Sequence, residues 1–205
     1  MNTIARANVA ADARAMPLAR LLEAGASQEE IAHHVGELSP AERVEQLLDI
    51  TGKQIERLYE AVAGAPPLAL EEMVPWRHEG TAIFEGRNSL PMFSRFQKRF
   101  ARVRGRVVGY NHQWTAFMTG PGFFAVELGA KDGPHPGELI IDYTRDPIDA
   151  GAGWPKYTPN DRGLSRLVYM NMKDYCRRVG PGVLVGKAYR AGAPLGAYFS
   201  LSRQP

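Results

Sequence analysis

Cysteine is almost missing from this 205-residue chain: Cys176 is the only one, so no internal disulfide can form and a reducing compartment suits the composition. A strong charge of either sign is missing too. The 25 basic residues against 22 acidic ones leave a formal net charge of +3, too little to draw nucleic acid or an anionic membrane by itself. No apolar run approaches the roughly 20 residues that a membrane-spanning helix needs. The segment from Met1 to Met16 carries Arg6 and Arg14 among its alanines and lacks the apolar core of a secretory signal. These absences predict a cytoplasmic protein with no nucleic-acid partner and no stable membrane insertion. Metal-ligand spacing is absent as well: His33 and His34 are neighbours that diverge on a helix, while His78 and His135 sit in turn-like segments without a spaced partner. The glycines follow no phosphate-loop or dinucleotide spacing, and there is no Gly-x-Ser-x-Gly elbow. Neither metal nor cofactor is expected.

What the chain does have is an ordinary globular composition, 44% hydrophobic and 23% charged, at a length that suits one core with an appendage. Residues 1–67 read as a helical segment packing on the rest. Ser27 with Glu30 forms a capping box for a helix through Val35; Ser39, Pro40 and Glu42 start a second. Along the second, Val44, Leu47, Leu48, Ile55, Leu58 and Val62 form an apolar stripe, interrupted by Gly52, where a bend or a close contact is expected. Gly64, Pro66 and Pro67 end it.

Residues 68–205 change to short β-like runs between glycines and prolines. The candidate strands are 81–86, 106–118, 122–128, 138–143, 164–170, 183–190 and 195–202, joined by turns such as Lys131-Asp-Gly-Pro134 and Arg190-Ala-Gly-Ala-Pro194. Capping helices are predicted near 91–103, from the stripe Phe93, Phe96, Phe100 and Val103, and near 172–179. The pattern is α+β: N-terminal helices, then an antiparallel β-barrel or strongly curled sheet. The Pro- and Gly-rich loop from Asp146 to Arg162 has the length of a lid or binding loop.

The densest chemistry lies in the run from Val108 to Met118. On a regular strand, Tyr110, His112, Trp114 and Met118 share one face with Val108 and Ala116, the look of a pocket wall. His112 would serve either as a general base or ligand contact, or as a core histidine satisfied by a backbone carbonyl or by Tyr110. Asp142, near a strand end, is the candidate carboxylate to orient it. Lys187 would face the interior and form a Schiff base or ion pair, or face water if Leu184, Gly186 and Ala188 point inward. Phe124 and Tyr169 complete the expected lining. The basic run Arg95, Lys98, Arg99, Arg102, Arg104 and Arg106 is either a solvated helix face or an anionic-ligand or membrane-surface patch.

The segment from Tyr169-Met-Asn-Met-Lys-Asp-Tyr-Cys-Arg-Arg-Val-Gly to Tyr198-Phe-Ser-Leu-Ser-Arg203 resembles the end of a group of bacterial lipocalin-like (calycin-type) small-barrel proteins. The resemblance covers under a fifth of the chain. It implies a lipocalin-like antiparallel barrel that encloses a small hydrophobic ligand. The expected function is binding of such a molecule in a barrel pocket, in lipid or secondary metabolism. One alternative is an isomerase, cyclase or dehydratase using His112 in that pocket; another is an adaptor or homodimer acting through the N-terminal helices.

Overall fold

The computed structural model describes residues 16–76, 80–91, 94–112, 120–145, 147 and 153–205. It begins with four helices, α1 (Leu18–Ala24), α2 (Gln28–Glu37), α3 (Pro40–Asp49) and α4 (Gly52–Ala61). Both expected capping boxes form, Ser27 with Glu30 and Ser39 with Glu42. A third, Thr51 with Gln54, divides what the apolar stripe suggested was one helix. Gly52 is also a close contact: a Cβ there would stand 2.8 Å from the Ser89 carbonyl oxygen.

After α5 (Leu70–Met73) the chain enters a closed antiparallel barrel of eight strands, each paired with its neighbours in sequence order and the last with the first. The strands are β1 (Ala82–Asn88), β2 (Arg95–Val103), β3 (Arg106–His112), β4 (Phe123–Leu128), β5 (Leu139–Asp142), β6 (Met172–Gly180), β7 (Val183–Arg190) and β8 (Ala193–Arg203). A short helix, α6 (Ser165–Tyr169), precedes β6. Two hairpins turn on residue pairs that both have positive φ, Arg104-Gly105 and Ala191-Gly192, the conformation that matches strand twist.

Three expectations change. Residues 95–103 and 172–180 are strands rather than capping helices, and residues 164–170 hold α6 rather than a strand. In β2 the helical i, i+4 spacing of Phe96 and Phe100 is also the alternation Phe96, Lys98, Phe100, whose middle member is a lysine, while Val103 falls on the other face.

Every strand turns one face to a common interior, where Phe84, Phe100, Phe124, Leu139, Ile141, Cys176, Leu184 and Leu201 are buried in one cluster. Burial pushes the Cys176 thiol well up, so it is an inert core group. Leu68, Met73 and Val74 join this cluster, and Arg102 donates to the Val74 carbonyl at 2.8 Å, so α5 and its flanks plug the end where β2 turns into β3. The outer wall is covered as well. α2 lies on β6, α3 on β8 and β1, and α4 on β7 and β8. Leu47, Ile50, Ile55, Leu58 and Val62 pack there with Val179, Val183, Val185 and Tyr198. The stripe proposed for an adaptor surface is thus buried against the chain's own barrel.

Inside, three glycines face three phenylalanines across the ladder: Gly86 opposite Phe96, Gly109 opposite Phe124 and Gly186 opposite Phe199. Each ring lies over its glycine so closely that a Cβ would come within 2.5 Å of it or less. A Gly109→Ala variant should therefore lose about 1–3 kcal/mol, the usual cost of overpacking. Gly36, in α2 with open space around its Cβ position, is the control: Gly36→Ala should be neutral or gain up to about 1 kcal/mol. Urea unfolding of the two variants checks both signs.

Candidate functional site

The end of the barrel opposite α5 holds a cavity of about 240 Å³. Its walls are mostly apolar, from Phe96, Val168, Tyr169, Met172, Ala188, Ala197 and Phe199, and the exposed side chains of Leu90, Leu167 and Leu195 stand at its edge. Four polar residues lie deeper: Lys98 from β2, Asn111 from β3, Tyr143 just after β5 and Asp174 from β6. All four are buried.

Lys98 is the centre of this group. Its Nζ donates to Asn111 Oδ1 at 3.0 Å, to Asp174 Oδ2 at 3.1 Å and, through a short bond, to Tyr143 Oη. Three acceptors use all three ammonium hydrogens. Asn111 Nδ2 donates to Tyr143 Oη at 3.0 Å, and Tyr143 Oη lies 3.3 Å from Asp174 Oδ2. The ammonium also sits 5.0–5.5 Å from the ring centres of Phe199, Tyr143, Phe124 and Phe96. Three of these are the rings that lie over facing glycines, so the glycines give the aromatic cage its room. Burial raises the Asp174 carboxyl above its ordinary value, although Lys98 and Tyr143 pull it down. Burial and then the Asp174 charge push the Tyr143 phenol well up, so it stays protonated.

Two polar atoms of the lining residues remain without a partner, both enclosed by protein rather than open to the cavity. Among the described residues lining it, Asp174 Oδ1 and Arg190 Nε are buried without a hydrogen-bond partner. Arg190 is held from its other side, where Nη2 donates to the carbonyls of Leu167 and Val168 in α6 at 3.0 and 2.9 Å.

The residues singled out from sequence separate. Phe124 and Tyr169 are inside; Tyr169 lines the cavity, stacked 5.3 Å from Tyr143 at 16°. The face of β3 is the reverse of the expectation. Val107, Gly109 and Asn111 point inward, and Tyr110 and His112 outward. Tyr110 is nonetheless buried, because Trp154 and Phe123 cover it at 4.9 and 5.7 Å. The inward positions are small and polar for a reason: Gly109 receives the Phe124 ring and Asn111 binds Lys98. His112 is exposed, and partial burial followed by the Arg99 charge holds its imidazole below the ordinary value. Trp114 and Met118 lie outside the described residues.

Asp142 also faces outward. Burial raises its carboxyl, but bonds from Lys173 and Thr144 outweigh that and hold it below the usual carboxylate range. Thr144 N and Oγ1 donate to Oδ1 at 2.9 and 2.6 Å, and Lys173 Nζ stands 2.8 Å from Oδ2. It cannot orient His112 inside the pocket. Lys187 is outward and half-buried beside Tyr198, 5.1 Å from the ring centre, while Leu184, Gly186 and Ala188 take the inward positions. A hydrogen bond to Tyr198 raises its ammonium, the opposite of what a Schiff-base lysine needs. The described part of the long loop is a strap on the outer wall: Trp154 Nε1 donates to Thr81 Oγ1 at 2.9 Å, and Asn160 Nδ2 to the Phe123 and Tyr143 carbonyls at 2.7 and 2.8 Å. The basic run Arg95–Arg106 is divided by strand alternation, which buries Lys98 alone of its six cations.

Sequence reasoning passed over Lys98, Asn111, Asp174 and Arg190. The available signal was period two: a lysine between Phe96 and Phe100, and an aspartate between Met172 and Cys176, each on a face otherwise apolar. Among the described residues no group of three or more His, Cys, Asp or Glu is placed to hold a metal ion, and no helix is long and apolar enough to cross a membrane.

Replacing Lys98 by methionine leaves the Asp174 carboxylate buried without its cation, a loss expected to be about 3–5 kcal/mol. The double variant Lys98→Met/Asp174→Leu removes both charges and should recover most of that loss in urea unfolding at pH 7. Asp142 gives a pH-dependent outcome. A carboxyl held low in the folded state stabilises above its unfolded pKa, and that stability is lost as pH falls through the folded value. Asp142→Asn should thus cost about 1–3 kcal/mol at pH 7. The difference should shrink in melts taken progressively below roughly pH 4.

Comparison of the chain with protein-family models, with curated proteins and with solved structures finds no match to any of them.

Proposed function

We propose that this protein binds a small, largely apolar molecule in the open end of its barrel. The observation that carries the reading is the cavity of about 240 Å³, with apolar walls and convergent polar groups at depth. Pockets of this make-up are the usual form of small-molecule sites, and their common range of about 300–1,000 Å³ points to a ligand at the small end of the scale. The packing supports specific use of the space. The other end is filled by Leu68, Met73, Val74 and the aromatic cluster, while small side chains, Ala188 and Ala197, stand where the cavity remains. Leucines exposed at the edge offer an apolar approach. The tail resemblance to lipocalin-like barrels points the same way.

The alternative of proton transfer by His112 loses its geometry, because that imidazole is outside the wall. The adaptor reading loses its surface, because the helical stripe is buried.

Toluene is a suitable minimal probe. At saturating concentration it should raise the melting temperature of the wild-type protein by about 2–5 °C. Ala188→Phe, which fills the cavity, should abolish the rise while remaining folded by circular dichroism. An equal rise in both proteins would place the binding elsewhere and end this reading. Native mass spectrometry before and after denaturation would then identify any molecule retained from the cell.

A further inference from the structure

The open end of the barrel differs from the rest of the surface. Among the described residues seven large apolar side chains are exposed, and four of them, Leu90, Leu164, Leu167 and Leu195, stand at this end. Leu90 follows β1, Leu164 and Leu167 belong to the connection before β6, and Leu195 is the third residue of β8. Their exposures are 44%, 53%, 66% and 45%. Leu90, Leu167 and Leu195 also line the cavity, so they are at once its rim and the outer surface. The placement is built in. Val168 and Tyr169 turn into the cavity, which leaves Leu164 and Leu167 outward. Arg190 Nη2 holds that arrangement by donating to the Leu167 and Val168 carbonyls at 3.0 and 2.9 Å. Exposed leucines scattered singly need no explanation, whereas leucines grouped about one opening mark an interaction surface.

The charge around them is mostly positive. Arg95 begins β2, and Arg162 and Arg166 flank Leu164; all three are exposed, and none takes part in an ion pair among the described residues. Arg145 and Lys173 are already engaged by Glu127 and Asp142. Asp161 is the only exposed carboxylate in the described parts of the connections between strands at this end. A second copy meeting this rim face to face would set these arginines against their own kind. Anionic headgroups over an acyl interior answer both features, taking the cations at the headgroup level and the leucines below it.

We propose that the open end docks reversibly on the surface of an anionic lipid bilayer, with the leucine rim below the headgroups and the mouth turned to the acyl region. The docking stands on the rim alone; passage of a ligand between membrane and barrel by this route rests on the pocket reading above.

Co-sedimentation with sucrose-loaded vesicles tests it. The protein should bind phosphatidylcholine vesicles containing about one third phosphatidylglycerol at least about tenfold more tightly than vesicles of phosphatidylcholine alone, and raised salt should narrow the difference, since each cation near an anionic surface contributes about fivefold. Leu164→Ser with Leu167→Ser, and separately Arg162→Glu with Arg166→Glu, should each weaken binding to the anionic vesicles at least about tenfold. All of these positions are exposed, so the substitutions leave the core intact. Leu128→Ser, at an exposed leucine of the closed end, is the control and should bind as wild type. Ala188→Phe alters the cavity and none of the rim residues, and it too should bind as wild type. Failure of the toluene test therefore leaves the docking standing, and failure of the docking leaves the pocket. Equal affinity for the two vesicles, binding to neither, or anionic binding that the leucine pair leaves unchanged would overturn the proposal. A dimer in analytical ultracentrifugation that the leucine pair abolishes, without vesicle binding, would give the rim to a second copy and overturn it as well.

Discussion

The ion pair between Lys98 and Asp174 is the interaction on which the interior depends. β2 and β6 stand four strands apart in either direction around an eight-strand barrel, so the pair ties opposite walls together across the lumen. A buried pair of this kind gains little net stability, because desolvating two charges offsets most of their attraction. What it does is divide the lumen. On one side lies a packed apolar plug closed by α5; on the other lies the cavity. Tyr143 and Asn111 complete the partition by accepting the ammonium hydrogens of Lys98 that Asp174 does not, so that Asp174 Oδ1 is the one atom of the pair left without a partner.

The charges impose a steric requirement on distant positions. An ammonium at the centre of a narrow barrel is favoured by aromatic faces around it, and four rings stand at 5.0–5.5 Å. Side chains of that size fit inward only where the facing strand gives way. Gly86, Gly109 and Gly186 do so opposite Phe96, Phe124 and Phe199. The glycines, the rings and the lysine are consequently one construction, and enlarging a glycine disturbs the charge as well as the wall.

This explains which parts of the fold were legible in sequence and which were not. The capping boxes at Ser27 and Ser39 are local chemistry and form as written. β7 coincides with its predicted run, residues 183–190, because its mid-strand charge, Lys187, sits on the outward face and its inward Arg190 comes only at the strand's end. β2 and β6 are the two strands that carry inward charges in mid-strand, Lys98 and Asp174. Lys98 and Asp174 break the apolar alternation, leaving spacings that imitate helices. The site and the misread strands are therefore the same residues, since burying a charge erases the pattern by which a strand is recognised.

The inverted face of β3 has a related cause on the other side of the wall. A sheet with one solvated face shows which residues point inward, and the outer face of this barrel is largely covered. Helices α2, α3 and α4 bury β6, β7, β8 and part of β1, while Trp154 and Phe123 cover Tyr110. Large apolar residues thus occur on both faces, and on β3 the more apolar face is the outer one. Its inner face is thinned by Gly109 and made polar by Asn111, both consequences of Lys98. Where an interior holds a charge and the exterior is clad, hydrophobicity no longer separates inside from outside; the separating variable is side-chain volume opposite each position, and a glycine facing a phenylalanine marks the inner wall.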